Sequence, residues 1–223
     1  MDPLEMVITN LFHVMFYNSP HTWNTGWTKW LGVPMLQNPL DMWIIQEIMA
    51  ANLPEVIIET GSGGGASALY SASIYDQLKR MRLVDGKVIS IDMQDKMSPR
   101  GVSHPRIEFL KGRSTDGQII SRVKFLIRSW GAKSVMVILD SDHSTENVLA
   151  EMKTYGPMVG HGHYMVVCDT NLGGNPVNHI ECPGPGPMGA VMKFMMNNND
   201  WEVDLGGEKY YLTFFPKGWL RKK

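Results

Sequence analysis

The sequence predicts an α/β protein with a Rossmann-like, doubly wound domain: a seven-stranded, mostly parallel sheet with an antiparallel edge, preceded by a helical amino-terminal arm. Three observations carry this. Short β-branched runs alternate with segments of helical spacing, the pattern of βαβ units with right-handed crossovers. A glycine cluster at 61–65 separates the first such run from a helical segment. Acidic residues close several runs, at Asp92, Asp140 and just after Cys168 at Asp169, where the strands of a parallel sheet open on a shared crevice.

Element by element, residues 1–38 form the arm. Its aromatics (Phe12, Phe16, Tyr17, Trp23, Trp27 and Trp30) are broken by Asn-Ser-Pro at 18–20 and Gly-Val-Pro at 32–34, which reads as a short helix and then an irregular stretch. The tryptophans would pack this arm onto the core or onto a neighbouring subunit. The main domain is expected over 39–223. Asp41 is placed to cap a helix with Ile44, Ile45, Ile48 and Met49 at helical spacing, ending before Pro54. Strands are expected at 55–59, 87–91, 106–110, 134–139 and 164–167, and helices at 66–80, 116–130 and 145–155. The stretch 173–187, with Pro183, Pro185 and Pro187, is too rich in breakers for a simple turn and reads as a lid or substrate loop. A helix at 188–198 and strands at 201–205 and 210–215 follow, the last two expected to pair as a hairpin through Gly206-Gly207.

Composition bounds the function. With 223 residues, 43% hydrophobic and 19% charged, the chain is long enough for one compact core and falls in the globular range. Lys plus Arg number 21 against 22 Asp plus Glu, so no overall positive field invites nucleic acid. No stretch approaches eighteen consecutive apolar residues and no basic leader precedes an apolar run, so neither a membrane span nor export is expected. The 2 cysteines are too few for a disulfide framework, and the cytoplasm is the expected compartment. The 17 methionines read as core filler with a hint of an apolar substrate pocket.

Two constellations point to chemistry. The first is Glu59-Thr60-Gly61-Ser62-Gly63-Gly64-Gly65-Ala66-Ser67 at a strand-to-helix junction. There glycines let the backbone approach a ligand and the helix start offers free N–H groups. Asp92, at the end of the next strand, is placed to accept both hydroxyls of a ribose. A dinucleotide loop needs Gly-x-Gly-x-x-Gly, and here the third position falls on Ala66 or Ser67. Glu59 would repel a pyrophosphate but suits the cationic amino-acid end of S-adenosylmethionine, which is therefore the expected cofactor, with Glu59, Gly61, Gly63, Gly65, Ser67 and Asp92 as its contacts. The second constellation is Asp140-Ser141-Asp142-His143-Ser144 after one strand and Cys168-Asp169 after the next. Asp140, Asp142 and Asp169 could orient an acceptor hydroxyl or hold a Mg²⁺-like ion, and His143 could act as general base. On the simpler reading, Asp142 and Ser144 cap the following helix and His143 is a solvated loop residue. His161 and His163 precede their strand, at the end opposite the crevice.

Trp30-Leu31-Gly32-Val33-Pro34, Asn38-Pro39-Leu40-Asp41, Ile57-Ile58-Glu59-Thr60-Gly61, Leu139-Asp140-Ser141-Asp142-His143-Ser144 and Lys217-Gly218-Trp219-Leu220 together resemble the cephalosporin hydroxylase family over about residues 15–221. The resemblance implies a class I, S-adenosylmethionine-dependent O-methyltransferase fold and activity, related to macrolide sugar O-methyltransferases. It implies a cofactor contact at Ser114, in a stretch Gly112-Arg113-Ser114 where the family carries Gly-Asp-Ser, with Asp140 also at the cofactor. It further implies a divalent metal held by Asp142 or Asp140 and by Asp169. The family's Glu-Asp pair is Cys168-Asp169 here, and a neutral thiol is a poor Mg²⁺ ligand, so Mg²⁺ is expected to bind weakly or not at all. A softer ion on Cys168, His143 and Asp169 is the alternative.

The sequence thus reads as a methyltransferase acting on a hydroxyl of a small natural product or sugar, with His143, Asp140, Asp142 and Asp169 as its catalytic residues and homo-oligomers as its expected state. A second reading keeps the scaffold but binds cofactor or ligand without turnover. A third uses it for a rearrangement or hydroxylation.

Overall fold

In the computed structural model, residues 2–19, 28–93, 101–178, 182 and 184–223 are described. Trp23, Trp27 and Pro183, singled out above, lie outside them. Helix α1 (Pro3–Asn18) starts at Asp2, whose carboxylate accepts from the amides of Leu4 and Glu5 while Glu5 reaches back to the Asp2 amide, a closed capping box. A two-stranded ribbon, β1 (Lys29–Trp30) and β2 (Val33–Pro34), leads to α2 (Pro39–Asn52). The cap of α2 is Asn38, whose side chain accepts from the Leu40 amide. Asp41, expected to cap, is instead 1% exposed inside the first turn, accepting from the amide of Phe214. Pro39 at the first helical position moves the cap back to Asn38.

The main sheet comprises β3 (Val56–Thr60), β4 (Lys87–Asp92), β5 (Ile107–Lys111), β6 (Val135–Leu139), β7 (Tyr164–Val167), β8 (Trp201–Val203) and β9 (Trp219–Lys222), in the order β5-β4-β3-β6-β7-β9-β8. The first five are parallel, and β9 runs antiparallel to both β7 and β8. Helices α3 (Ala66–Arg80), α4 (Gly117–Ser129), α5 (Thr145–Tyr155) and α6 (Gly186–Met195) connect them. Both faces of the sheet are covered, so β3 and β6 are buried throughout and read as unbroken apolar runs. Their side chains alternate between two cores. Ile57 and Met136 join Met49, Tyr75, Phe214 and Trp219 on the side of α1, α2 and α3. Val56, Ile58 and Val137 join Val123, Met152 and Phe194 on the side of α4, α5 and α6. Trp30 of the arm packs edge-on against Tyr70 at 4.7 Å and donates its indole N–H to Ser73.

One expected pairing is replaced. The hairpin of 201–205 with 210–215 through Gly206-Gly207 does not form. Leu205–Glu208 is a 3-10 turn, and the strand that enters the sheet is β9. Thr213, Phe214 and Phe215 are buried outside the sheet, with Phe214 under Phe12, Phe16 and Tyr17 of α1. Trp219 and Leu220 have no exposed surface, and their burial between β7 and β8 outweighs the short-loop pairing that the glycines favour. Among the described residues no helix is long and apolar enough to cross a membrane.

Gly218 lets β9 enter: its amide donates to Phe215 and its carbonyl accepts from Val167, and a Cβ there would overlap the Val167 carbonyl oxygen. Gly218→Ala should lower unfolding free energy by about 1–3 kcal/mol, the usual cost of overpacking. Urea denaturation checks this, and an unchanged midpoint would mean the β7–β9 seam gives way easily.

Candidate active site

The crevice lies at the carboxyl ends of β3, β4, β6 and β7. After β3 the chain turns at Gly61, whose φ is +86° and whose Cβ would overlap the Asp140 carbonyl oxygen. Only glycine combines this left-handed backbone with so close an approach between strand ends. The turn is stitched by Gly61 N–H to Ile91 and Asp140 N–H to Thr60, and Gly65 caps α3. Across the turn Asp92 accepts from the Gly63 amide at 3.0 Å. The glycine loop and the acidic strand end therefore meet as the sequence implied, with α3 starting beneath them.

Glu59 sits lower than expected. It is 2% exposed and accepts from Ser90 Oγ at 2.6 Å, while Ser62 donates in turn to Ser90. Burial pushes its carboxyl up to about 7, partly offset by the Ser67 and Ser90 hydroxyls. Its charge lies beneath the glycine loop rather than on the crevice surface, and Ser67 belongs to the same buttress. Ser114 is also turned inward: its hydroxyl donates to Glu151 of α5, and Tyr155 donates to its carbonyl. Glu151 is fully buried, accepts a second bond from Ser141 at 2.7 Å, and has its carboxyl raised by burial. Sequence reasoning missed Glu151. The available signal was its place on the inward arc of α5 with Val148, Met152 and Tyr155.

Beyond the loop, Asp140, His143 and Asp169 converge, each offering one ligand atom within 4.8 Å of the others. His143 Nε2 is 3.5 Å from Asp169 Oδ2, and the Asp140 Oδ2 accepts from Gln37 of the arm at 2.6 Å. Burial, with Asp169, Glu59 and Glu151 nearby, holds the Asp140 carboxyl well above the usual range. Tyr17 of α1 approaches from the other side, its hydroxyl 3.4 Å from Asp169 Oδ1 and 3.5 Å from the Asn171 side-chain oxygen. Asp169 adopts φ +53°, a left-handed conformation that aspartate tolerates better than most residues. Gln37 and Tyr17 were not expected at the site, since nothing local in the arm says where it folds back.

Asp142 is the correction. Its Oδ1 accepts from the Ser144 amide at 2.8 Å, and the Ser144 hydroxyl and amide hold its carboxyl below the usual range. Ser144 in turn caps α5 through the Asn147 amide. Asp142 and Ser144 thus follow the helix-cap reading, whereas His143, between them, turns into the cluster. Cys168 is 1% exposed within the apolar core, burial beside Asp140 and Asp169 pushes its thiol up, and it lies outside the group of Asp140, His143 and Asp169 whose ligand atoms converge. A divalent ion would find two carboxylates and one imidazole. This set suits a cation geometrically but offers Mg²⁺ fewer hard oxygens than it favours.

Glu59 yields a test of this electrostatics. A carboxyl raised in the folded state binds its proton more tightly there than in the unfolded chain, so it stabilises below about 4.5 and loses that contribution as pH rises towards about 7. Buried His13, lowered to about 4, has the opposite slope over part of this range, so the comparison must be between variants. Glu59→Gln should flatten the decline between pH 5 and 8, gaining on the order of 2–3 kcal/mol over the wild type at the alkaline end. Parallel stability–pH curves would show that Glu59 is held ionised.

Comparison with known proteins adds context. The family described as Rhamnosyl O-methyltransferase/CmcI matches residues 22–223. A rhamnosyl O-methyltransferase of Mycobacterium leprae is 35% identical over 218 residues, covering 97% of this chain and 91% of the relative. One from Mycobacterium bovis is 36% identical over 208 residues, covering 90% and 82%. Among solved structures, CmcI with Mg and SAM aligns over 94% of this chain and 84% of its own at TM-score 0.64 and 17% identity. The O-methyltransferase TomG of Streptomyces achromogenes, in complex with SAM, aligns over 90% and 81% at TM-score 0.53 and 17% identity. These last two likenesses bear on the fold.

Proposed function

The chain belongs to the Rhamnosyl O-methyltransferase/CmcI family, and from that footing we propose that it methylates a hydroxyl of a sugar or other natural product, using S-adenosylmethionine. The observation that carries this is the convergence of Asp140, His143 and Asp169 beside the glycine loop and Asp92. The reading includes a small-molecule acceptor of the rhamnosyl type, a cytoplasmic location and a homo-oligomeric state.

The loop residues fit the cofactor. Gly61 holds the loop tight against the end of β6, the start of α3, which no side chain caps, supplies N–H groups, and Asp92 stands where a ribose would be received. Bound S-adenosylmethionine supplies an electrophilic methyl group on a cationic sulfur. The chain supplies position and proton removal. His143 Nε2 lies 3.5 Å from Asp169 Oδ2, so with an Nε2–H turned to that carboxylate the other ring nitrogen, Nδ1, takes the acceptor proton and Asp169 stabilises the resulting charge, as in other oriented base pairs. Gln37 holds Asp140, and Tyr17 holds Asp169. A divalent ion would occupy Asp140, His143 and Asp169 and add acidity to a bound hydroxyl, at the expense of His143 as a base.

Methyl-labelled S-adenosylmethionine with a rhamnosyl glycoside tests the reaction. Label should appear in the acceptor, and His143→Ala should lower kcat by about a hundredfold or more with little change in cofactor affinity. Cofactor bound but left intact would favour the reading without turnover, and full activity in His143→Ala would return the residue to the cap turn.

The metal can be separated from the base. Methyl transfer by the wild type should survive chelation, and Cys168→Glu should bind Mg²⁺ about tenfold or more tightly than the wild type, ~1.4 kcal/mol or more by calorimetry. Stoichiometric Mg²⁺ in the purified wild type, or complete loss of activity with chelator, would contradict this.

A further inference from the structure

Helix α1 is amphipathic in the inverted sense. Its inward ridge carries Glu5, Thr9, His13 and Tyr17 at four-residue spacing: Thr9, His13 and Tyr17 are buried and Glu5 is half-buried. Beside this ridge the rings of Phe12 and Phe16 reach the core at Phe214. The outward side carries Leu4, Val7, Ile8, Leu11, Val14 and Met15, and these expose between 44% and 69% of their surface. An ordinary surface helix turns its apolar stripe to the core and its polar face to water. Here a contiguous apolar face of the size that marks an interaction site looks outward.

We infer that this face of α1 is where a second copy of the chain packs, which names the surface for the homo-oligomeric state proposed above and rests on that reading. Two properties select this occupant. The first is charge. Residues 1–28 contain no Lys or Arg, and the acidic groups near the patch are Asp2 and Glu5. Helices that lie on bilayers pair their apolar face with basic residues that meet anionic headgroups, and α1 has acids instead. A charged peptide finds no complementary partner on this face, whereas an uncharged apolar face is complementary to itself across a two-fold axis. The second is area. A fully exposed aliphatic side chain offers on the order of 100 Å² of apolar surface, so the partly exposed side chains offer about 350 Å² per copy. That is close to the apolar share of the roughly 800 Å² each partner contributes to a stable interface. The seam would also steady the helix that brings Tyr17 to Asp169.

Light scattering after size exclusion tests this on the full chain. The wild type should have a mass of at least twice the 25.1 kDa of one chain, and Leu11→Glu combined with Met15→Glu should reduce it by half or more with an unchanged circular dichroism spectrum. If that variant does not fold, amide exchange on the wild type decides: α1 should exchange more slowly at high than at low protein concentration, and concentration-independent exchange would overturn the inference. A monomeric wild type would overturn both the inference and the homo-oligomeric reading, and flotation of that monomer with phosphatidylcholine vesicles would assign the face to a bilayer. An oligomer that persists in the folded double variant would overturn the surface alone.

Discussion

Acidic side chains gathered at the carboxyl ends of β3, β6 and β7 constrain everything around them. Glu59, Asp140 and Glu151 are all buried there and all held above the usual carboxylate range by burial, with Asp169 contributing to the rise at Asp140. At an effective dielectric near 20, two charges 4 Å apart interact by about 4 kcal/mol. Such a cluster persists because each member has hydroxyl or amide donors: Ser67 and Ser90 for Glu59, Gln37 for Asp140, Ser114 and Ser141 for Glu151. A neutral hydroxyl that donates into a carboxylate offsets part of the burial penalty without adding a second charge.

The same requirement explains the arm. The parallel sheet supplies strand ends but no covering layer above them. Gln37 and Tyr17 descend on Asp140 and Asp169 from one side, and Asn38 anchors the path by donating to the Leu212 carbonyl. Asp41 then receives the Phe214 amide, which fixes the irregular stretch before β9 directly beneath α1. The stretch that sequence reasoning took for a strand at 210–215 is needed outside the sheet, where Phe214 is the floor on which Phe12, Phe16 and Tyr17 rest.

How much was legible in the sequence follows from how local each feature is. The five parallel strands, the glycine turn and the acidic strand ends are written in adjacent residues, and the structure places them as expected. Asp142 was ambiguous because a carboxylate two residues before a cap serves either the helix or the crevice, and only the direction of the turn decides. Glu151 looked like one more acid on a helix until its side chain could be placed against Ser114. Tyr17 and Gln37 lie more than a hundred residues from the aspartates they approach, a separation across which periodicity and propensity carry no information. The Trp219-Leu220 strand was missed because the glycines at 206 and 207 offered a shorter connection, and burial of the larger aromatic prevailed.

A negative crevice suits a cationic cofactor, yet it poses a difficulty for methyl transfer. The positive charge on sulfur disappears as the methyl group leaves, so a fixed negative field favours the ground state over the transition state unless charge is restored nearby. In the mechanism proposed above, His143 resolves this within the residues present. When its imidazole accepts the acceptor proton, a positive charge appears 3.5 Å from the Asp169 carboxylate, on the same side of the site as Asp140. The field that held the cofactor is then met by an imidazolium, and the neutral products lose the attraction that bound the cation. Such an exchange draws only on His143 and the two aspartates that converge with it, while Cys168 lies buried in the apolar core beside them.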